Sequence, residues 1–459
     1  MEQKRPRWVD KPAFKWMPEP ALPSAPKQGD GPLSDDANPS QARLALVPRL
    51  AVGASQGLAL AVLFYCRDYQ LWPDNGLLAA SIMALTFAPA LLLQGLGRIS
   101  LRPLLIWTMF AAAGLAGLGI YHHWRLDGAD AGHAGLWLAG LVSLFLLIGQ
   151  MLILSHARSG PGPLRYSVLY ESSWRLVIEV ALCAFVALLV WAAWIACEDQ
   201  LHLVAAFSPP SYLATPLITL SLAAAAQFRA GPTLHILKRG TVMAFTAALP
   251  LTIFLAAFTI LFASRGLWRV PFAAAGLEGL LLVVAINASY RSGSEWRPLW
   301  RRRAEFAGAV LLVPMTILAA GALQARIAQF GYTAPRVVAL AALLLFSAYA
   351  LAYVGAAVIS LGGGRWMERI ETANLLMAFV ALSLSAALAS PLADPVRLAV
   401  ASQNWRIAHG RVAPEVFDYA YLRNSGLRFG HDVLTRMARG KGVPAVTRGA
   451  IGALDSAGR

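Results

Sequence analysis

Glu278 is the side chain in this sequence whose position most suggests chemistry. It stands six residues into the apolar run 272–290, a setting in which a carboxylate is costly. An ionisable group in such a run marks a proton or cation site, or it joins helices as a neutral or paired carboxyl. Both readings apply here. Asn287 follows nine residues later, about two and a half helical turns on, so the two side chains fall on opposite faces. Glu179 stands one turn beyond Arg175, and that spacing suits an i,i+4 ion pair as well as a site. Glu278, Asn287 and Glu179 are the intramembrane polar candidates. Glu305, beside Arg301, Arg302 and Arg303, is expected at a membrane interface.

A second group of candidates lies in a connection: Arg326, Gly331, Tyr332, Thr333 and Arg336. Gly331 permits a tight turn, and Tyr332 suits the headgroup level with its hydroxyl wet. Thr333 can cap the helix that starts near Pro335. The two arginines have two readings. They grip an anion, either a lipid headgroup or a carboxylate of the C-terminal segment, or they snorkel from a rigid interfacial turn.

Catalytic motifs are missing from the sequence. His122 and His123 are adjacent and His133 follows ten residues later, without Cys or carboxylate partners at metal spacing. Gly362-Gly363-Gly364 precedes Arg365 rather than Lys-Ser/Thr, so it is no phosphate loop. No nucleophile elbow, zincin, kinase or dinucleotide fingerprint is present. The catalytic residues are therefore unassigned, and neither a metal nor a cofactor is implied. Asp127, Asp130, Glu198 and Asp199 are the acids an enzyme acting at the outer loops would have to use.

Eleven apolar stretches position these groups: 50–66, 76–96, 104–121, 136–154, 176–197, 213–228, 241–264, 272–290, 306–325, 337–361 and 372–391. Each is near the ~20 residues that a helix needs to cross a bilayer. Their apolar residues run continuously and do not alternate, which excludes barrel strands. The fold class is all-α, a polytopic transmembrane helical bundle over residues 44–391. The sixth stretch is short and carries Pro216, so it is the one open to a re-entrant reading. Pro89, Pro250 and Pro314 are expected to break the second, seventh and ninth. Gly53 and Gly57 suit close helix contact.

Composition agrees, with 58% hydrophobic and 14% charged residues against a soluble norm of about 25% charged. The net charge of +15 sits at span ends, where it anchors topology. The chain's expected partners are accordingly the lipid bilayer and other membrane or envelope proteins, with no nucleic acid. Alternate connections on the N-terminal side hold fifteen Lys and Arg against six on the other, which places the N-terminus in the cytoplasm. An odd number of spans then puts the C-terminal segment outside. Residues 1–43 are Pro-rich and polar and read as a disordered cytoplasmic tail. Residues 392–440 read as short amphipathic helices, starting with Asp394 as N-cap and Pro395 at N1. Their Leu398, Trp405 and Ile407 are expected to pack on the bundle. Residues 441–459 read as a disordered tail.

Three runs carry a resemblance: Arg326 to Arg336 with Gln329, Phe330, Gly331 and Tyr332 between; Asp394-Pro395-Val396-Arg397-Leu398; and Phe417-Asp418-Tyr419-Ala420-Tyr421-Leu422-Arg423 followed by Gly426, Arg428, Phe429 and Gly430. Together they resemble the bacterial membrane family of domain of unknown function 4153, most clearly over residues 306–439. The resemblance implies a multi-pass protein of the bacterial inner membrane with an extracytoplasmic C-terminal portion. It implies no activity and no catalytic residue.

Three function classes follow: a non-enzymatic envelope or assembly scaffold, a small-solute or proton-coupled transporter, and an enzyme acting on a lipid-linked substrate. A transporter would line a path with polar groups and interrupt a helix. An enzyme would gather outer-loop acids, and a scaffold would have a sealed interior.

Overall fold

The computed structural model describes residues 46–439, except 73, 127–131, 161, 206–210, 227–231, 267–269, 291–298 and 361–365, together with residue 449. The N-terminal tail 1–43, the final tail 441–459 apart from residue 449, the acids Asp127 and Asp130 and the triglycine 362–364 lie outside the described residues. Each of the eleven apolar stretches forms a helix: α1 Leu46–Asp68, α2 Asn75–Gly95, α3 Leu101–Leu126, α4 Gly132–Ser159, α5 Tyr166–Ala205, α6 Ala214–Ala225, α7 Pro232–Ser264, α8 Phe272–Ala288, α9 Leu299–Phe330, α10 Ala334–Ser360 and α11 Trp366–Ala389. Nine are long and apolar enough to cross a membrane, while α6 and α8, at 12 and 17 residues, are shorter. No strand occurs among the described residues.

Both short helices still reverse the chain. Gly53 of α1 faces Ala223 and Leu220 of α6, and Gly57 faces Pro216 and Thr219, so the two helices run antiparallel. A Cβ at Gly53 would stand 2.6 Å from the Ala223 Cβ, which explains the small residue at that contact. Similarly, Thr246 and Thr259 of α7 bond to Ala288 and Glu278 of α8, while Ser289 and Ile286 meet Glu305 and Gly308 of α9. Both pairings are antiparallel.

Two expectations need correction. Pro89, Pro250 and Pro314 lie inside continuous helices rather than breaking them. In addition, α5 is 40 residues long, about 60 Å at helical rise, well beyond the stretch 176–197. Its extension begins at Tyr166 in a segment too polar to register as a span.

The main core lies among α7–α11, where Leu282, Ile286, Leu312, Met315, Tyr353 and Ile370 are fully buried. A second core joins α2, α3 and α4 through Leu91, Leu115, Val142 and Leu146. Large apolar side chains such as Phe185, Leu188, Phe254 and Leu351 face outward. So much outward apolar surface suits a bilayer and would make a water-soluble chain aggregate.

Three further helices close one end: α12 Pro395–Ala408, α13 Tyr419–Ser425 and α14 Leu427–Arg439. Asp394 caps α12, its Oδ1 accepting from Val396 N and Arg397 N. A 3-10 turn, Pro414–Val416, follows α12, and α13 begins after Asp418, which accepts from Tyr421 N. Val396, Val400, Phe417, Leu422 and Leu434 pack with Leu126 of α3 and Ala334 of α10. The buried face of α12 is therefore Val396, Ala399, Val400 and Gln403. Leu398 and Trp405, expected to be buried, are 40% and 50% exposed.

Candidate functional site

One set of interior polar groups gathers at the end of the bundle away from the three short C-terminal helices. Asn287 of α8 is surrounded there by Tyr166, the first residue of α5, Tyr353 of α10 and Asn374 of α11. Tyr353 OH donates to Asn374 Oδ1 at 2.7 Å, and Asn287 Nδ2 donates to Tyr353 OH at 2.7 Å. Asn374 Nδ2 donates to Tyr166 OH at 2.8 Å and to Asn287 Oδ1 at 2.6 Å. Tyr166 OH closes the set on Asn287 Oδ1 at 3.1 Å, and Asn287 Nδ2 spends its second hydrogen on Val283 O. Every amide hydrogen and every hydroxyl hydrogen of the four is used. None of these groups carries charge near neutral pH.

Sequence reading found only Asn287 of the four. Asn374, an amide within the apolar run 372–391, was the signal available for the second. Tyr166 and Tyr353 are amphipathic residues that apolar runs commonly hold, so nothing local marked them.

Glu278 points elsewhere, as the spacing from Asn287 requires. Thr259 Oγ1 of α7 donates to Glu278 Oε1 at 3.0 Å, and Glu278 Oε2 is buried without a hydrogen-bond partner among the described residues. The carboxyl thus joins two adjacent helices.

Glu179 forms an ion pair with Arg98, Nη2 to Oε2 at 2.7 Å, with both side chains nearly buried. That pair spans 81 residues and ties α5 to the α2–α3 connection, beyond the helical neighbour Arg175. Arg49 of α1 reaches the same connection, donating to Leu96 O at 2.7 Å. Glu305 is fully buried rather than facing headgroups, and accepts from Ser289 Oγ at 2.6 Å.

At the opposite, capped end, the three familiar runs meet. Gln403 Nε2 of α12 donates to Tyr332 O at 2.8 Å and to Phe330 O at 3.1 Å. Gly331, between those carbonyls, has φ +74, and a side chain there would strike Gln403 and Arg406. Arg336 Nη1 donates to Gly331 O at 2.7 Å and its guanidinium lies over the Phe330 ring. Thr333 precedes α10, but the hydroxyl that accepts from Ala334 N belongs to Tyr421 of α13. Burial pushes the Tyr421 phenol up, so it remains a neutral acceptor. Tyr332 is half-buried and Arg326 exposed.

The C-terminal carboxylate expected for Arg326 or Arg336 is held by another arginine. Asp394 Oδ2 accepts from Arg125 Nη1 at 2.6 Å and from Tyr121 OH at 2.8 Å, all within α3 and the α12 cap. His122 Nδ1 accepts from Arg125 Nε at 3.1 Å and helps aim it. Arg428 of α14 stacks on Trp124, 4.8 Å from the ring centroid. Among the described residues no three His, Cys, Asp or Glu side chains form a group able to hold a metal ion; the His133 side chain lies outside them. Comparison with family models, curated proteins and solved structures gives no match for this chain.

Proposed function

We propose that this chain is a non-enzymatic scaffold or assembly component of a bacterial inner membrane, with its N-terminus cytoplasmic and its capped end periplasmic. One observation supports this over transport. The polar side chains Tyr166, Asn287, Tyr353 and Asn374 spend their hydrogen bonds on one another and leave none aimed at a passing solute. The proline-bearing helices are continuous, whereas transporter sites commonly lie at interrupted ones. An enzymatic reading has less support: Glu198 is half-buried and Asp199 exposed near the end of α5, and among the described residues no three His, Cys, Asp or Glu side chains group to hold a metal ion. Membership of the family of domain of unknown function 4153 is part of the same proposal, and it rests on the three runs that meet at the capped end.

Glu278→Gln tests the scaffold reading. Gln can still accept from Thr259 but cannot ionise, so the variant is expected to be produced normally and to restore growth to cells lacking the chain. Loss of that rescue, with unchanged expression and melting temperature, would move Glu278 from helix contact to proton or cation carrier.

A further inference from the structure

Three arginines converge on the turn at Gly331 from three elements. Arg326 comes from the last turn of α9, Arg336 from the first turn of α10 and Arg406 from α12. Arg336 Nη1 is fixed on the Gly331 carbonyl, while Arg406 Nη1 lies where a Cβ on Gly331 would stand. All three side chains carry positive charge, and Arg326 and Arg406 both lie close enough to act on Arg336. Elsewhere the chain neutralises such groups, as Arg98 with Glu179 and Arg125 with Asp394 show. Here, among the described residues, none of the three is paired with a carboxylate. Like charges held in register by a positive-φ turn, an aromatic ring and a buried glutamine repel one another unless an anion joins them.

We infer that Arg326, Arg336 and Arg406 form a binding site for the phosphate of an anionic phospholipid. Guanidinium groups bind phosphate oxygens in pairs, and three around one turn suit a tetrahedral anion. The turn joins the ends of two long apolar helices, which is where headgroup phosphates lie. Phe330 and Trp405, 48% and 50% exposed, flank it as aromatic residues do at a bilayer surface. Arg326 is exposed and the other two are half-buried, so the site opens outward. This inference does not depend on the scaffold reading.

The test uses the full chain purified in a maltoside detergent and titrated with short-chain phosphatidylglycerol, short-chain phosphatidylcholine or inorganic phosphate. Phosphatidylglycerol is expected to bind best. Binding should weaken about fivefold for each arginine removed, and so about 25-fold in the Arg326→Gln, Arg406→Gln double variant. The matching double Lys variant keeps the charge but loses the paired guanidinium bonds, so its affinity should fall between those of the parent and the double Gln variant. Equal binding by the double Gln variant would overturn the site. Equal binding of phosphatidylcholine, or equal competition by inorganic phosphate, would overturn the anionic lipid as its ligand. If the double Gln variant melts lower than the parent, Arg326→Gln alone, at an exposed position, decides by the same fivefold criterion.

Discussion

Asp394 has two roles that different variants separate. One oxygen caps α12 and the other pairs with Arg125, whose side chain is 6% exposed. Asn at this position keeps the cap but loses the charge. Breaking a nearly buried ion pair from one side costs about 3–5 kcal/mol, because the remaining charge is stranded. Asp394→Asn should therefore lower the melting temperature in detergent, and Asp394→Ala should lower it further. Equal melting of all three proteins would mean the pair contributes nothing. The cap was legible in the sequence, since Asp-Pro before an amphipathic run is a local signal. The partner was not, because Arg125 is 269 residues away and looked like one more charge at a span end. The same limit explains Glu179: spacing showed Arg175 one turn away, while the fold brings in Arg98.

At the scale of elements, apolar runs placed all eleven helices of the bundle, nine long and two short, but their ends were less legible. The α5 extension from Tyr166 begins among polar residues that hydropathy alone does not mark, although they support the Tyr–Asn set. The proline positions were visible, yet whether neighbours tolerate them depends on packing. For α12 the Asp-Pro start was clear, while the buried face was right only in part: Ile407 packs on the cap core, and Leu398 and Trp405 stay exposed. Small residues, Ala399 and Val400, fit against α10, and Trp405 stays at the rim stacked on His409. The cap nevertheless buries Val396, Phe417, Leu422 and Leu434 against the bundle. Deleting residues 392–459 should expose that surface, strand Arg125 and lower the detergent melting temperature; an unchanged value would show that the cap contributes no stability.

For the whole molecule, the cap contacts the C-terminal end of α3, the α9–α10 turn and the start of α10. An even number of reversals must therefore separate α3 from α9, as six crossings require. The antiparallel pairings of α6 and α8 supply two of them, although α6 spans only about 18 Å at helical rise. We propose from the arginine asymmetry that the capped end lies outside, and an eleven-helix membrane bundle with an external cap is the central claim. Fusing a phosphatase that works only outside the cytoplasm after Gly160, Gly231 and Gly440 tests it most directly. The account predicts activity after Gly440 alone. Activity after Gly231 would show that α6 does not cross, and activity after Gly160 with none after Gly440 would invert the molecule.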